Sequence, residues 1–287
     1  MKKPDFLIIG AMKCATSSLH EQLALQSGIF MSEPKELYFF SDDEVYTKGL
    51  DWYLSFFEQA NPTDICGEST THYTKLPTYP HTIERIKKHL PKAKFIYIMR
   101  HPIDRLISHY IHEWSLNNIL IDINEAVDQY PELIEYSYYS KQLKPYFKAF
   151  GKENVLPIFF EHLLSHPQAE LERACEFIGY QNVPQWQEEL SRQNVSHERW
   201  RKTPFREFIV NNPILEKARQ LLIPKAIREQ VRKSWTMQKR PTLHSELYGE
   251  LETQFNQDLG ILGNWLGVEL SCQNFKTVVT EKSFFWV

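Results

Sequence analysis

Two short runs, FLIIG (6–10) and KFIYIMR (94–100), are apolar at nearly every position rather than every second one. A strand with one solvated face alternates, whereas continuous β-rich runs belong to central strands covered on both sides. NVLPIFF (154–160) is a third such run, and its proline points to a sheet edge or an irregular start. Helical patterns lie between them. Leu106, Ile107, Tyr110, Ile111 and Trp114 form one stripe, and Leu171, Ala174, Cys175 and Ile178 another at i, i+3, i+4 and i+7. Strand–helix–strand alternation predicts an α/β fold, a P-loop-like doubly wound parallel sheet flanked by helices. After about residue 184 the strand signal fades into proline-punctuated helical segments. One domain is therefore expected over 1–287, with a core of about 5–180 and a helical C-terminal part of about 184–287.

The first run leads into GAMKCATSSL, a glycine, a lysine and three hydroxyl residues opening a helix. A nucleoside-triphosphate loop reads G-x-x-x-x-G-K-[ST]. Counted from Gly10, Lys13 stands too early and Ala15 occupies the place of the second glycine, so the pattern does not support a Mg²⁺-triphosphate site. The means of holding an anion remain, in free N–H groups at a helix N-terminus, the hydroxyls of Thr16, Ser17 and Ser18, and the charge of Lys13. The competing reading is an ordinary strand–turn–helix with a Ser/Thr cap.

A second anion signal lies in KFIYIMRHPIDRLISHYIHEW, where Arg100 ends a central strand and Ser108 sits on the following helix. Ligands of doubly wound sheets collect beyond the carboxyl ends of strands. Two phosphate grips at two strand ends suit a nucleotide phosphorylated at both 5′ and 3′ positions, and an arginine fork suits the terminal phosphate. The competing role for Arg100 is a salt bridge to Asp104 or another carboxylate.

These segments resemble the sulfotransferases that use 3′-phosphoadenosine 5′-phosphosulfate (PAPS). Lys13-Cys14-Ala15-Thr16-Ser17-Ser18-Leu19 matches their 5′ loop, K-x-G-T-[ST]-x-L, with Ala15 for glycine. Arg100, Pro102, Arg105, Ser108 and Tyr110 match the 3′ motif R-x-P-x-x-R-x-x-S-x-Y. EPKELYFF and YTKGLDWYLSFF look like the branch of heparan-sulfate and bacterial carbohydrate enzymes, and the similarity spans roughly 5–180. The resemblance implies PAPS as co-substrate, PAP as product, no metal, and Lys13 as the group neutralising the breaking phosphosulfate bridge. It also implies a catalytic glutamate in an E-x-H-F-F stretch. Here that is Glu36, with Tyr38 replacing the histidine. Glu68 and His72, taken to follow a strand in CGESTTHYT, are the other candidates for the base, and Ser69 stands where related enzymes often carry lysine. A late basic loop closes over the nucleotide in such enzymes; Arg199, Arg201 and Lys202, with Trp200 for stacking, are the candidates here.

Of two rival functions, a kinase-like phosphotransferase would need a Walker lysine and Mg²⁺ ligands that the sequence does not supply, and a nucleotide-binding protein without catalysis would keep Lys13, Arg100 and Ser108 while lacking a working base. A formal charge of −3 over 287 residues speaks against nucleic acid as partner. His109 and His112 share a helix face with His101 nearby, but no third ligand with suitable spacing for a metal follows. The four dispersed cysteines read as reduced thiols in a cytoplasmic protein. No apolar stretch nears the ~18 residues of a membrane span. The acceptor is expected to be a glycan or small molecule, and the sequence sets no oligomeric state. The aromatic tail SFFWV suggests either core or an acceptor-stacking surface.

Overall fold

A computed structural model describes residues 2–188, 237 and 239–287. The chain starts with β1 (Phe6–Gly10), α1 (Thr16–Ala24), β2 (Ile29–Met31), α2 (Asp43–Tyr46), α3 (Gly49–Ser55) and β3 (Ile65–Ser69). A 3₁₀ turn (Thr71–Thr74), α4 (Thr82–His89), β4 (Lys94–Met99), α5 (Pro102–Ser115), α6 (Ile123–Gln129), α7 (Glu132–Glu135) and α8 (Tyr139–Phe150) follow. Then come β5 (Val155–Phe159), α9 (Phe160–Ser165) and α10 (Pro167–Ile178), and after the undescribed segment α11 (Ser245–Leu266) and α12 (Phe275–Glu281).

The sheet is wholly parallel, in the order β2-β3-β1-β4-β5. The chain leaves β1 in one direction for β2 and β3, and returns past it to β4 and β5. Parallel strands need crossover connections, which lay helices against the sheet, and β1 and β4 are accordingly buried along their length and read as unbroken apolar runs. The carboxyl end of β1 lies where the strand order reverses, the place at which such sheets hold ligands.

β5 is an edge strand, as Pro157 suggested, and it is nonetheless buried. The C-terminal tail covers it. Trp286 Nε1 donates to the Val155 carbonyl at 2.6 Å, Phe284 enters the core, and Arg173, paired with Glu170, donates to the Phe284 carbonyl at 2.8 Å. The tail is thus a sheet cover, not an acceptor platform. α11 packs on α8 and α5, and α12 on α9, so the helical C-terminal part rests against the strand-bearing core. All four cysteines are free and buried.

Candidate active site

β1 delivers the loop at Gly10, whose φ is +146°. A Cβ there would come within 2.1 Å of Thr74 Oγ1, because Thr74 lies across the strand end and donates to the Ile9 carbonyl at 2.6 Å. Only glycine fits under that hydroxyl. Ala11 N–H then donates to the Ile98 carbonyl at 2.8 Å, fastening the loop to β4. Lys13 and Ala15 take φ of +72° and +64°. Ala15 is the N-cap of α1 and offers no side-chain acceptor, so the ordinary Ser/Thr cap is not formed and first-turn N–H groups are left for an anion. Thr16 is buried in the first turn, Ser18 is half-buried and Ser17 exposed.

Arg100 follows β4 directly and meets the loop. Its Nη1 donates to the Lys13 carbonyl at 3.3 Å, and its guanidinium lies 4.4 Å from the Phe160 ring centroid. Arg100 Nε is buried with no hydrogen-bond partner among the described residues. An orphaned guanidinium N–H beside an uncapped helix start fits an anionic ligand. The rival salt bridge is not made: Asp104 instead holds Arg240 Nη2 at 2.8 Å and Lys276 Nζ at 2.6 Å. The Tyr139 hydroxyl donates to the Arg100 carbonyl at 2.5 Å and accepts from its N–H at 3.2 Å, fixing the backbone. Ser108 is half-buried on the second turn of α5.

Arg105, the second arginine of the motif, has a different part. It is fully buried, donating through Nε to Ser137 Oγ and through Nη2 to the Leu133 carbonyl at 2.6 Å. It locks α5 to α7, with Nη1 buried and without a hydrogen-bond partner among the described residues.

Glu36 is gripped on both oxygens. Oε2 accepts the Thr71 backbone N–H at 2.9 Å, and Oε1 pairs with Lys35 Nζ at 2.8 Å. Lys35 also reaches Thr16 Oγ1 at 3.4 Å, so the carboxylate is tied to the phosphate loop by one ammonium. Its side chain keeps 20 % exposure, enough to meet a substrate.

Glu68 cannot compete for that role. It lies inside β3 rather than after it, is 0 % exposed, and accepts from Tyr53 (2.5 Å), Tyr73 (2.7 Å) and Thr70 (2.6 Å). Burial outweighs those three donors and pushes its pKa up to about 7. His72 packs between Tyr38 (4.4 Å) and Tyr79 (4.6 Å), with Nδ1 buried and unpartnered among the described residues. Burial, aided by Lys75, pushes its pKa down to about 3, so the ring is neutral at physiological pH. Ser69, standing where relatives carry lysine, bonds His20 Nδ1 at 2.8 Å.

The family described as the sulfotransferase domain matches residues 3–263. The chain belongs to the sulfotransferase family. The chain is 28 % identical over 197 residues to the human bifunctional heparan sulfate N-deacetylase/N-sulfotransferase 2, covering 61 % of itself and 22 % of that protein. It is also 28 % identical over 188 residues to mouse heparan sulfate glucosamine 3-O-sulfotransferase 5, covering 61 % of itself and 53 % of that enzyme. It thus spans about half or less of these curated relatives. A crystal structure of a sulfotransferase from Alicyclobacillus acidocaldarius superposes with a TM-score of 0.57 at 27 % identity, over 67 % of this chain and 90 % of that one.

Within this sulfotransferase, the structure brings together Lys13, Ala15, Thr16, Arg100 and Glu36, and sets His72 beside them on the turn that holds Glu36. Arg199, Trp200, Arg201 and Lys202 lie outside the described residues. His101 Nε2 meets the Cys272 carbonyl (3.1 Å) and His109 the Glu113 carboxylate (3.5 Å), and among the described residues no group of side chains could hold a metal ion. Three contributors escaped the sequence reading. Lys35 was signalled only by adjacency to Glu36, while Thr71 acts through its backbone and Tyr139 lies 39 positions from Arg100 with no spacing cue.

Proposed function

We propose that this sulfotransferase moves a sulfuryl group from PAPS to a hydroxyl or amine of a glycan or small-molecule acceptor. The observation that carries the reading is the meeting of its two anion grips, Arg100 donating to the Lys13 carbonyl while its Nε stays unpartnered. Lys13 and the first-turn N–H groups of α1 would receive the 5′-phosphosulfate. Arg100 and Ser108 would receive the 3′-phosphate.

Glu36 takes the proton of the acceptor as the acceptor atom bonds to sulfur. The bond between sulfur and the bridging phosphate oxygen breaks in line, and its electron pair leaves with PAP. The loop N–H groups and Lys13 meet the charge that develops there, without reorganising during the step. Thr71 and Lys35 fix the Glu36 carboxylate in advance, so orientation is set before the substrate arrives.

Calorimetry with PAP, ADP and AMP tests the nucleotide part, and labelled PAPS with the Glu36→Gln variant tests the base. PAP should bind most tightly without metal, and the variant should bind PAP while losing about 10²-fold or more in transfer. Indifference to the 3′-phosphate, or full activity in the variant, would overturn it.

A further inference from the structure

The parallel pairing of β4 with β5 sets Met99 beside Phe159. The residues that follow each strand, Arg100–His101 and Phe160–Glu161, therefore stand side by side at the end of the sheet where Arg100 meets the loop. The Arg100 guanidinium lies 4.4 Å from the Phe160 ring centroid, and Glu161 Oε1 accepts the His101 backbone N–H at 2.9 Å. Each charged group nonetheless keeps one buried atom out of use. Arg100 Nε, a donor, and Glu161 Oε2, an acceptor, have no hydrogen-bond partner among the described residues, so neither serves the other.

Burial raises the pKa of Glu161, although the His101 N–H, its own N–H and the Arg100 charge favour the ionised form; the charge of Asp104 adds to the rise. The donors at hand do not repay its desolvation. The neighbours are engaged elsewhere. Asp104 holds Arg240 and Lys276, and His101 Nε2 meets the Cys272 carbonyl.

A single group serves both idle atoms only if it accepts from a guanidinium and donates to a carboxylate. An ionised phosphate accepts but has nothing to donate, and it repels the carboxylate. An adenine amine donates but does not accept. A hydroxyl does both. In a 3′-phosphorylated nucleotide the neighbour of the 3′-phosphate is the ribose 2′-hydroxyl, and a carboxylate on that hydroxyl is a recurrent device of doubly wound sheets. The charge itself is informative. A neutral amide would accept the His101 N–H equally well, whereas a carboxylate near a bound phosphate weakens binding unless a donor stands between them.

We propose that Glu161 is a specificity residue for the sugar of the nucleotide, its Oε2 accepting from the ribose 2′-hydroxyl while that oxygen receives Arg100 Nε. This rests on the sulfotransfer reading above, with the 3′-phosphate on the same guanidinium.

The test is calorimetry with PAP and with its 2′-deoxy analogue. On the unmodified protein PAP should bind at least about tenfold more tightly. Glu161→Gln should shrink that ratio to about threefold or less. It should do so by weakening PAP, while the deoxy analogue binds as well or better because a charge near the phosphate is gone. Glu161→Asp keeps the charge and shortens the reach, so it should shrink the ratio without that gain, and it takes the place of the glutamine variant should the latter not fold. Equal affinities for the two nucleotides, the result of a trapped water serving both atoms, would overturn the proposal. So would a ratio that both variants leave unchanged, which would trace the preference to sugar pucker. Failure of the sulfotransfer reading would show separately, as PAP binding no tighter than AMP.

Discussion

Lys35 Nζ lies 2.8 Å from Glu36 Oε1 and also reaches Thr16 Oγ1, 3.4 Å away on the phosphate loop. One side chain therefore couples the proposed base to the place proposed to hold the leaving group. Any shift of the loop is felt at the carboxylate through a single pair of contacts.

Lys35→Met should lower kcat about tenfold to hundredfold by releasing Glu36 from one of its two restraints, since misplacement of a base near the reacting atom is expensive in rate. PAP affinity should fall less. Lys35→Arg should recover part of kcat. A structural reporter accompanies the kinetics: burial first, then the Lys35 charge, push His20 down to about 4. Removing Lys35 should raise that pKa, measurable by an NMR titration of the imidazole. A His20 unmoved by the substitution would refute the arrangement.

Glu68 gives the fold a pH dependence of definite sign. Its folded pKa, about 7, stands above the ordinary 4.5 because the site is dry. Between these values the unfolded chain has lost the proton that the folded chain keeps, so stability falls as pH rises from about 4.5 to 7 and is level beyond. The loss is about 3 kcal/mol at most. Glu68→Gln should flatten this portion of a Tm-against-pH curve. Glu68→Leu should instead destabilise at every pH, because Tyr53, Tyr73 and Thr70 lose their acceptor.

Ala15 is the position where the loop departs from the family's glycine, and its φ of +64° with ψ of +25° puts an L-residue in left-handed backbone. That conformation costs roughly 1–2 kcal/mol, against about 0.4–1 kcal/mol by which glycine gains freedom in the unfolded chain. Ala15→Gly should therefore stabilise the protein by about 0.5 kcal/mol in urea unfolding, with the affinity for PAP nearly unchanged. A destabilised variant would show that the methyl group makes packing contacts worth more than the strain.

The sheet was legible because β1 and β4 are buried on both faces, and their sequences carry that burial in every residue. Pro157 likewise announced an edge, since a central strand has no place for a missing N–H. The placement of the proposed anion grips was legible because motif spacing encodes a strand end followed by a helix start. The setting of the base was less so. Glu36 and Glu68 look alike in sequence, and only the fold shows that one is shared between Lys35 and Thr71 while the other is sealed under three hydroxyls. Arg105, matched only as part of the motif, braces α5 from within. Contacts joining residues dozens of positions apart, through backbone atoms or tyrosine hydroxyls, leave no period or spacing to read.

Tyr139 is the sharpest such case. Its hydroxyl donates to the carbonyl of Arg100 and accepts from the N–H of the same residue, holding the backbone just where β4 stops and the guanidinium must turn toward Lys13. The ring is fully buried against Tyr97, so the hydroxyl cannot be replaced by water without repacking. Tyr139→Phe keeps the ring and removes both bonds, leaving two backbone groups short of a partner at a cost of about 1–3 kcal/mol. Part of this should appear as lower stability and part as looser placement of Arg100. PAP affinity should fall about threefold to tenfold while AMP affinity changes little, because only PAP carries the 3′-phosphate assigned to Arg100. Calorimetry with both nucleotides measures the two together, and an equal loss for each would show that Tyr139 supports the fold alone.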